Sequence, residues 1–228
     1  MKNLVTNFYG RTKGKALSAY KEGLIEDLLP VLKYDLDKFN ALKGKYKKFV
    51  LDIGFGQGES TFFGARDNKD TLYVGIELFV NGYANLLGLI DGHRKETGEL
   101  LENILIVPSD AVRFIEGLDS DLFDRVQLLF PDPWHKKRHN KRRFVSEVNL
   151  KQIKRVLKQN GVFRFVSDID DYNFWTLMMV SKVDGYSIGY KNLQSYEKEP
   201  LGWAKTKYQK KAVREGRRPL FFDFNVVK

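Results

Sequence analysis

Short apolar runs recur along this chain at Phe49–Ile53, Leu72–Ile76, Ile104–Val107, Val126–Phe130 and Val162–Val166. They are apolar almost throughout, with little polar alternation. Runs of that length suit strands buried on both faces, and such strands belong to parallel sheets covered by helices. Segments with helical spacing separate them. Strand and helix in alternation make βαβ units, so the predicted class is α/β with a doubly wound, mostly parallel sheet. Tyr186–Tyr190 and Leu220–Val227 read as two last strands.

Helices are expected at about Leu17–Leu29, ended by Pro30; at Glu59–Arg66; at Leu78–Glu96, with Leu86, Leu87, Leu89 and Ile90 on its apolar face; and at Ala111–Glu116, closed by Gly117. A longer one, Phe144–Lys158, turns Val145, Val148, Ile153, Val156 and Leu157 inward and stops at Asn160-Gly161. Asp170 is placed to cap another that runs toward Val180. Residues 1–40 read as a basic arm (Lys2, Arg11, Lys13, Lys15) with a helix, and residues 41–228 as a single domain. Within that domain Asn192–Pro219 is a polar, basic insertion, and connections of that length are usually functional or disordered.

The chain contains no cysteine, which removes disulfides, thiolate catalysis and cysteine zinc sites together. Three histidines (His93, His135, His139) are too few for a histidine-rich site, so no metal is expected. No run approaches the ~18 apolar residues of a membrane span. The first residues lack an apolar signal core, so a cytoplasmic protein with no membrane partner is expected. The formal net charge is +10. It is concentrated: Phe130–Arg143 carries six Lys/Arg against one Asp, Ala204–Arg218 seven against one Glu, and the remainder is close to neutral. Cations gathered in two places indicate a footprint for a polyanion, and nucleic acid fits better than a membrane because neither segment has an apolar helical face.

After the first strand comes Gly54-Phe-Gly-Gln-Gly58, whose glycines Gly54, Gly56 and Gly58 permit a tight turn and close approach of backbone to a ligand. The turn suits a dinucleotide or S-adenosylmethionine. Glu77 closes the second strand, where a carboxylate can accept from ribose hydroxyls in either case. Asp52 precedes the first glycine, where it would repel a pyrophosphate but attract a sulfonium and an ammonium. Asp110 follows the third strand and can accept from an adenine amino group. No GxxxxGK[ST] sequence occurs, so a P-loop is excluded.

The fourth run enters FPDPWHKKRHNKRR, Phe130–Arg143. Pro131 and Pro133 cannot donate ladder hydrogen bonds, so the strand stops there. Ligands of open α/β sheets bind outside the carboxyl ends of strands, which puts Asp132 and Trp134 at a site and Lys136–Arg143 beside it. Trp134 suits either base stacking or burial. His135 and His139 read as surface or RNA-contacting residues. Four strand-end carboxylates beside a cationic surface suit a cationic methyl donor and a nucleic acid acceptor. Competing readings are a methyltransferase for DNA, protein or another RNA base, a non-catalytic RNA-binding protein, and a nicotinamide dehydrogenase.

From about Tyr9 to the C-terminus the chain resembles the bacterial tRNA (guanine-N7-)-methyltransferases, the TrmB family. FPDPWHKKRHNKRR carries most of the resemblance, and LDIGFGQGES, VGIELFVNG, Ser109-Asp110-Ala111, Ser167-Asp168 and Thr206-Lys-Tyr208 match in order. The resemblance implies a Rossmann-like, seven-stranded sheet of the class I S-adenosylmethionine-dependent type. It implies methyl transfer to N7 of guanine 46 in the tRNA variable loop, leaving S-adenosylhomocysteine. It implies donor contacts at Asp52, Glu77, Asp110 and Asp132, with Asp132 catalytic, and substrate contacts at Lys136 and Asp168. Arg138, His139, Asn140, Lys141, Arg142 and Arg143 match the segment assigned to RNA, and Thr206, Lys207, Tyr208 and Gln209 a substrate motif. Asp52 and Gln209 both stand where the family usually has Glu. Its members occur as monomers and homodimers.

Overall fold

The computed structural model describes residue 10 and residues 12–188 and 193–228. Of the expected basic arm, Lys2 and Arg11 lie outside the described residues; beside Lys13 and Lys15 the Gly14 N–H donates to Asn81 Oδ1 at 2.9 Å, and Asn81 Nδ2 donates to the Lys15 carbonyl at 2.8 Å. Strands β1 (Lys48–Ile53), β2 (Thr71–Ile76), β3 (Ile104–Val107), β4 (Phe123–Leu129), β5 (Leu157–Ser167), β6 (Tyr186–Ile188) and β7 (Leu220–Val226) form one sheet, ordered β3-β2-β1-β4-β5-β7-β6. The first five strands are parallel, and β7 runs antiparallel between β5 and β6.

Helices α1 (Ala19–Asp27), α2 (Leu29–Leu32), α3 (Leu36–Lys43), α4 (Glu59–Asp67), α5 (Val80–Thr97), α6 (Ala111–Glu116), α7 (Glu147–Val156) and α8 (Asp170–Val180) cover both faces, and α9 (Lys207–Arg214) precedes β7. Alternate strand side chains feed two apolar layers. On one face Val50, Tyr73 and Ile104 pack with Leu24 of α1 and Leu86 and Ile90 of α5. On the other, Leu51, Val74 and Leu105 pack with Phe39 of α3, Ile153 of α7 and Met179 of α8. No helix among the described residues is long and apolar enough to cross a membrane.

Several boundaries differ from the sequence expectations. Pro30 does not end the first helix; it sits in the first turn of α2, where no intrahelical N–H is required. The division at residue 40 falls within α3, whose buried Phe39 meets Phe49 and Phe123 edge-on or tilted. Helix α7 is shorter than expected: Ser146 caps it by accepting from the Asn149 N–H, and the chain is already extended at Leu157. Asn160-Gly161 therefore lies inside β5, where Asn160 adopts φ 61°. The pair serves an irregularity in the strand, not a helix stop, and the β4–β5 register shifts opposite it. Val148 faces outward at 41% exposure, and Leu150 is buried in α7. Ile169, not Asp170, holds the N-cap position of α8; Asp170 lies in the first turn, where its charge suits the helix dipole. The Asn192–Pro219 insertion is structured over its described part, with a 3₁₀ turn at Leu193–Glu197 and α9. The expected strand residues beyond Ile188 reach outside the described segment.

Candidate active site

The carboxyl ends of β1, β2, β3 and β4 open onto one cleft of about 810 Å³, and Asp52, Glu77, Asp110 and Asp132 all line it. The parallel strands put these ends at one edge of the sheet, so four carboxylates far apart in sequence converge.

Asp52 is fully buried. Its Oδ2 accepts from the Thr61 hydroxyl of α4 at 2.7 Å. Its Oδ1, equally buried, has no hydrogen-bond partner. Burial pushes the carboxyl from 3.8 up to about 6, opposed by the Thr61 and Gln127 side chains and the Arg125 charge. A buried, half-satisfied acid at a cleft wall is a place where a cationic ligand gains most.

Glu77 orders the glycine turn. One of its oxygens accepts from the Gly56 N–H at 2.8 Å, the other from the Phe79 N–H at 2.9 Å. Burial raises its pKa, and these N–H groups oppose the rise. Each oxygen keeps a further lone pair for a ligand hydroxyl. Gly54, Gly56 and Gly58 take φ values of 62°, 60° and 79°, the left-handed region that glycine enters without strain. Gly82 is a site residue that sequence reasoning misses. A Cβ there would stand 2.4 Å from the Gly56 carbonyl oxygen, so the first turn of α5 seats directly on the glycine turn. The available signal was a glycine in a helix's first turn, where it lowers helix propensity for no local gain.

Asp110 caps α6, accepting from the Arg113 N–H at 3.0 Å, and lines the cleft as well. Asp132 is exposed on the loop after β4. That loop is strained at both ends: Phe130 and Trp134 have φ of 50° and 48°. Arg143 holds it. Its side chain is fully buried, donates from Nε to the Pro133 carbonyl at 2.8 Å, pairs with Asp171 of α8, and lies over the Tyr172 and Trp175 rings. Arg143 is thus a clamp beneath the loop and is withheld from the cationic surface with which the sequence reading grouped it. Lys136, Arg138 and Lys141 are exposed, His139 and Asn140 half-buried, all in or beside the 3₁₀ turn Lys137–Arg142. Lys141, Arg142 and Arg143 line the cleft, and the Arg142 guanidinium lies 5.0 Å from the Trp134 ring centroid.

The α9 segment closes the far side. Thr206 caps α9, and the Lys207 N–H donates to the Glu59 carboxylate at the start of α4. Tyr208 lines the cleft with its ring against Gly56, where an added Cβ would lie 3.0 Å from Tyr208 Cε2. Burial, then the charges of Glu77, Asp132 and Glu59, raise the Tyr208 pKa. Lys207 is exposed, whereas Gln209 is buried and faces Trp203 and Glu199. A neutral amide, where the resemblance implies a carboxylate, thus sits beside an acid. Asp168 and Gly58 are outside the cleft lining; Asp168 accepts from Arg217 Nε at 2.5 Å.

A family model described as "Putative methyltransferase" matches residues 46–221. A tRNA (guanine-N(7)-)-methyltransferase of Chelativorans sp. is 38% identical over 223 residues, 95% of this chain and 94% of that one. The protein of the same name from Agrobacterium fabrum is 39% identical over the same shares. Among solved structures, the 16S rRNA methyltransferase KamB superposes with a TM-score of 0.61 at 15% identity, covering 86% of this chain and 95% of that one. An antibiotic-related methyltransferase gives 0.60 at 19%, covering 87% and 98%. At such identities these two matches speak for the fold.

Proposed function

The chain belongs to the tRNA (guanine-N(7)-)-methyltransferase family, and from that premise we propose that it methylates N7 of a guanine in tRNA, at position 46 of the variable loop, with S-adenosylmethionine as donor and S-adenosylhomocysteine as product. Its work on tRNA takes place in the cytoplasm. The observation that carries the proposal is the cleft itself: four carboxylates line it, one with a buried oxygen that has no hydrogen-bond partner, and the exposed Lys141 lines it too.

The donor supplies an electrophilic methyl group on a sulfonium. The residues fit such a ligand: Asp52 offers a buried carboxylate with one oxygen unpaired, Glu77 lone pairs for hydroxyls, and Asp110 a carboxylate for an amino group. Guanine N7 carries a lone pair and no proton, so no strong base is needed and catalysis rests on positioning and electrostatics. Asp132, exposed in the cleft, stabilises the positive charge that the methylated ring acquires or holds the guanine N–H edge. The Phe130–Trp134 backbone, clamped by Arg143, fixes where Asp132 stands. Lys136, Arg138 and Lys141 hold phosphates, which position the RNA.

Transfer of labelled methyl groups to unmodified tRNA, with the modified base mapped in a digest, tests the reaction. Asp132→Ala should cost about 10²-fold or more in turnover while tRNA affinity holds. A methyl group found elsewhere than guanine N7 overturns the reaction assigned, and undiminished turnover removes Asp132 from the mechanism.

A further inference from the structure

Gln209 touches no part of the cleft, yet it is 3% exposed and both ends of its amide are used. Its Oε1 accepts from Trp203 Nε1 at 2.6 Å, and its Nε2 donates to Glu199 Oε1 at 2.7 Å. The chemistry admits only this arrangement. An indole N–H can only donate and an ionised carboxylate can only accept, so the bridging group must accept at one end and donate at the other. Glutamine does so; glutamate does not.

The bridge gathers three parts of the insertion. Trp203 packs edge-on against Phe221 of β7, ring centroids 5.1 Å apart, and so is anchored to the sheet. Glu199 is also paired with Lys205 Nζ at 3.3 Å. Gln209 lies in the first turn of α9, next to Tyr208, whose ring forms the cleft wall over Gly56. We propose that Gln209, through Trp203 and Glu199, is a positioning residue that fixes α9 so that Tyr208 closes the methyl-donor pocket. This rests on the donor reading above.

The test is titration with S-adenosylhomocysteine by calorimetry. Glu at 209 would set two carboxylates against each other and leave an acceptor facing an acceptor. Gln209→Glu should weaken binding about tenfold or more. The reciprocal pair Glu199→Gln with Gln209→Glu restores a donor between the two side chains and should bring affinity back to within about threefold of wild type. Tyr208→Ala should weaken binding too, and adding Gln209→Glu to it should cost little more, because both act through one wall. Wild-type affinity in Gln209→Glu, no rescue by the reciprocal pair, or full additivity with Tyr208→Ala would each overturn the proposal. If Gln209→Glu alone does not fold, the reciprocal pair decides: affinity near wild type supports the bridge, a lasting loss overturns it. Wild-type protein that binds no S-adenosylhomocysteine strikes instead at the donor reading.

Discussion

Replacing Asp52 by Asn should stabilise the ligand-free protein at pH 8 while weakening its hold on the methyl donor. The carboxyl is fully buried, one oxygen has no partner, and its pKa rises from 3.8 to about 6. Keeping the charged form in the fold therefore costs about 3 kcal/mol. Asn removes the charge and keeps an acceptor for Thr61, but leaves a buried amide N–H without a partner, a loss of about 1 kcal/mol. The net gain is about 2 kcal/mol at pH 8, or about 5 °C in Tm for a chain of this size. The pH dependence has a definite sign. A carboxyl whose folded-state pKa exceeds its unfolded one contributes stability that is fully present below pH ~4 and lost as pH rises through 6. The variant's advantage should thus be largest at pH 8 and nearly gone at pH 4–5. Thermal unfolding of both proteins across that range measures it, and titration with S-adenosylhomocysteine at pH 8 measures the loss of affinity. A variant less stable than wild type at pH 8, or a stability gap that does not move with pH, would refute the reasoning.

Two further outcomes are expected. Gly82→Ala puts a Cβ 2.4 Å from the Gly56 carbonyl oxygen, so the glycine turn must shift; donor affinity should fall about tenfold with the fold retained, as read by titration and circular dichroism. Arg143→Ala and Lys136→Ala should separate clamp from rim: the first lowers stability by about 2 kcal/mol through lost packing and a lost loop hydrogen bond, while the second leaves Tm unchanged and lowers the slope of log tRNA affinity against log salt by about one.

Most of the sheet was legible because buried parallel strands are written as unbroken apolar runs, and the strand-end acids follow from topology once the strands are placed. Where one residue type serves two structures, sequence alone does not choose between them. Asn160-Gly161 can end a helix or relieve a strand; the early turn into β5 at Leu157 decided for the strand. Pro30 can stop a helix or begin one, and α2 begins on it. Arg143 carries the same charge as the cations beside it in sequence, and only the tertiary placement of Pro133, Asp171 and Tyr172 takes it out of the surface. The resemblance marks Thr206–Gln209 as a substrate motif, but its helical form and its anchoring through Trp203 on Phe221 come only with the tertiary structure.

The place of β7 has a consequence for biosynthesis. Among the described strands it comes last in sequence but lies inside the sheet, bonded to β5 on one side and β6 on the other. While a nascent chain leaves the ribosome, β5 must wait with a bare edge and β6 with no partner until Leu220–Val226 emerges. A chain cut short before that point leaves the edge of β5 unpaired, a row of free N–H and C=O groups open to pairing with another chain.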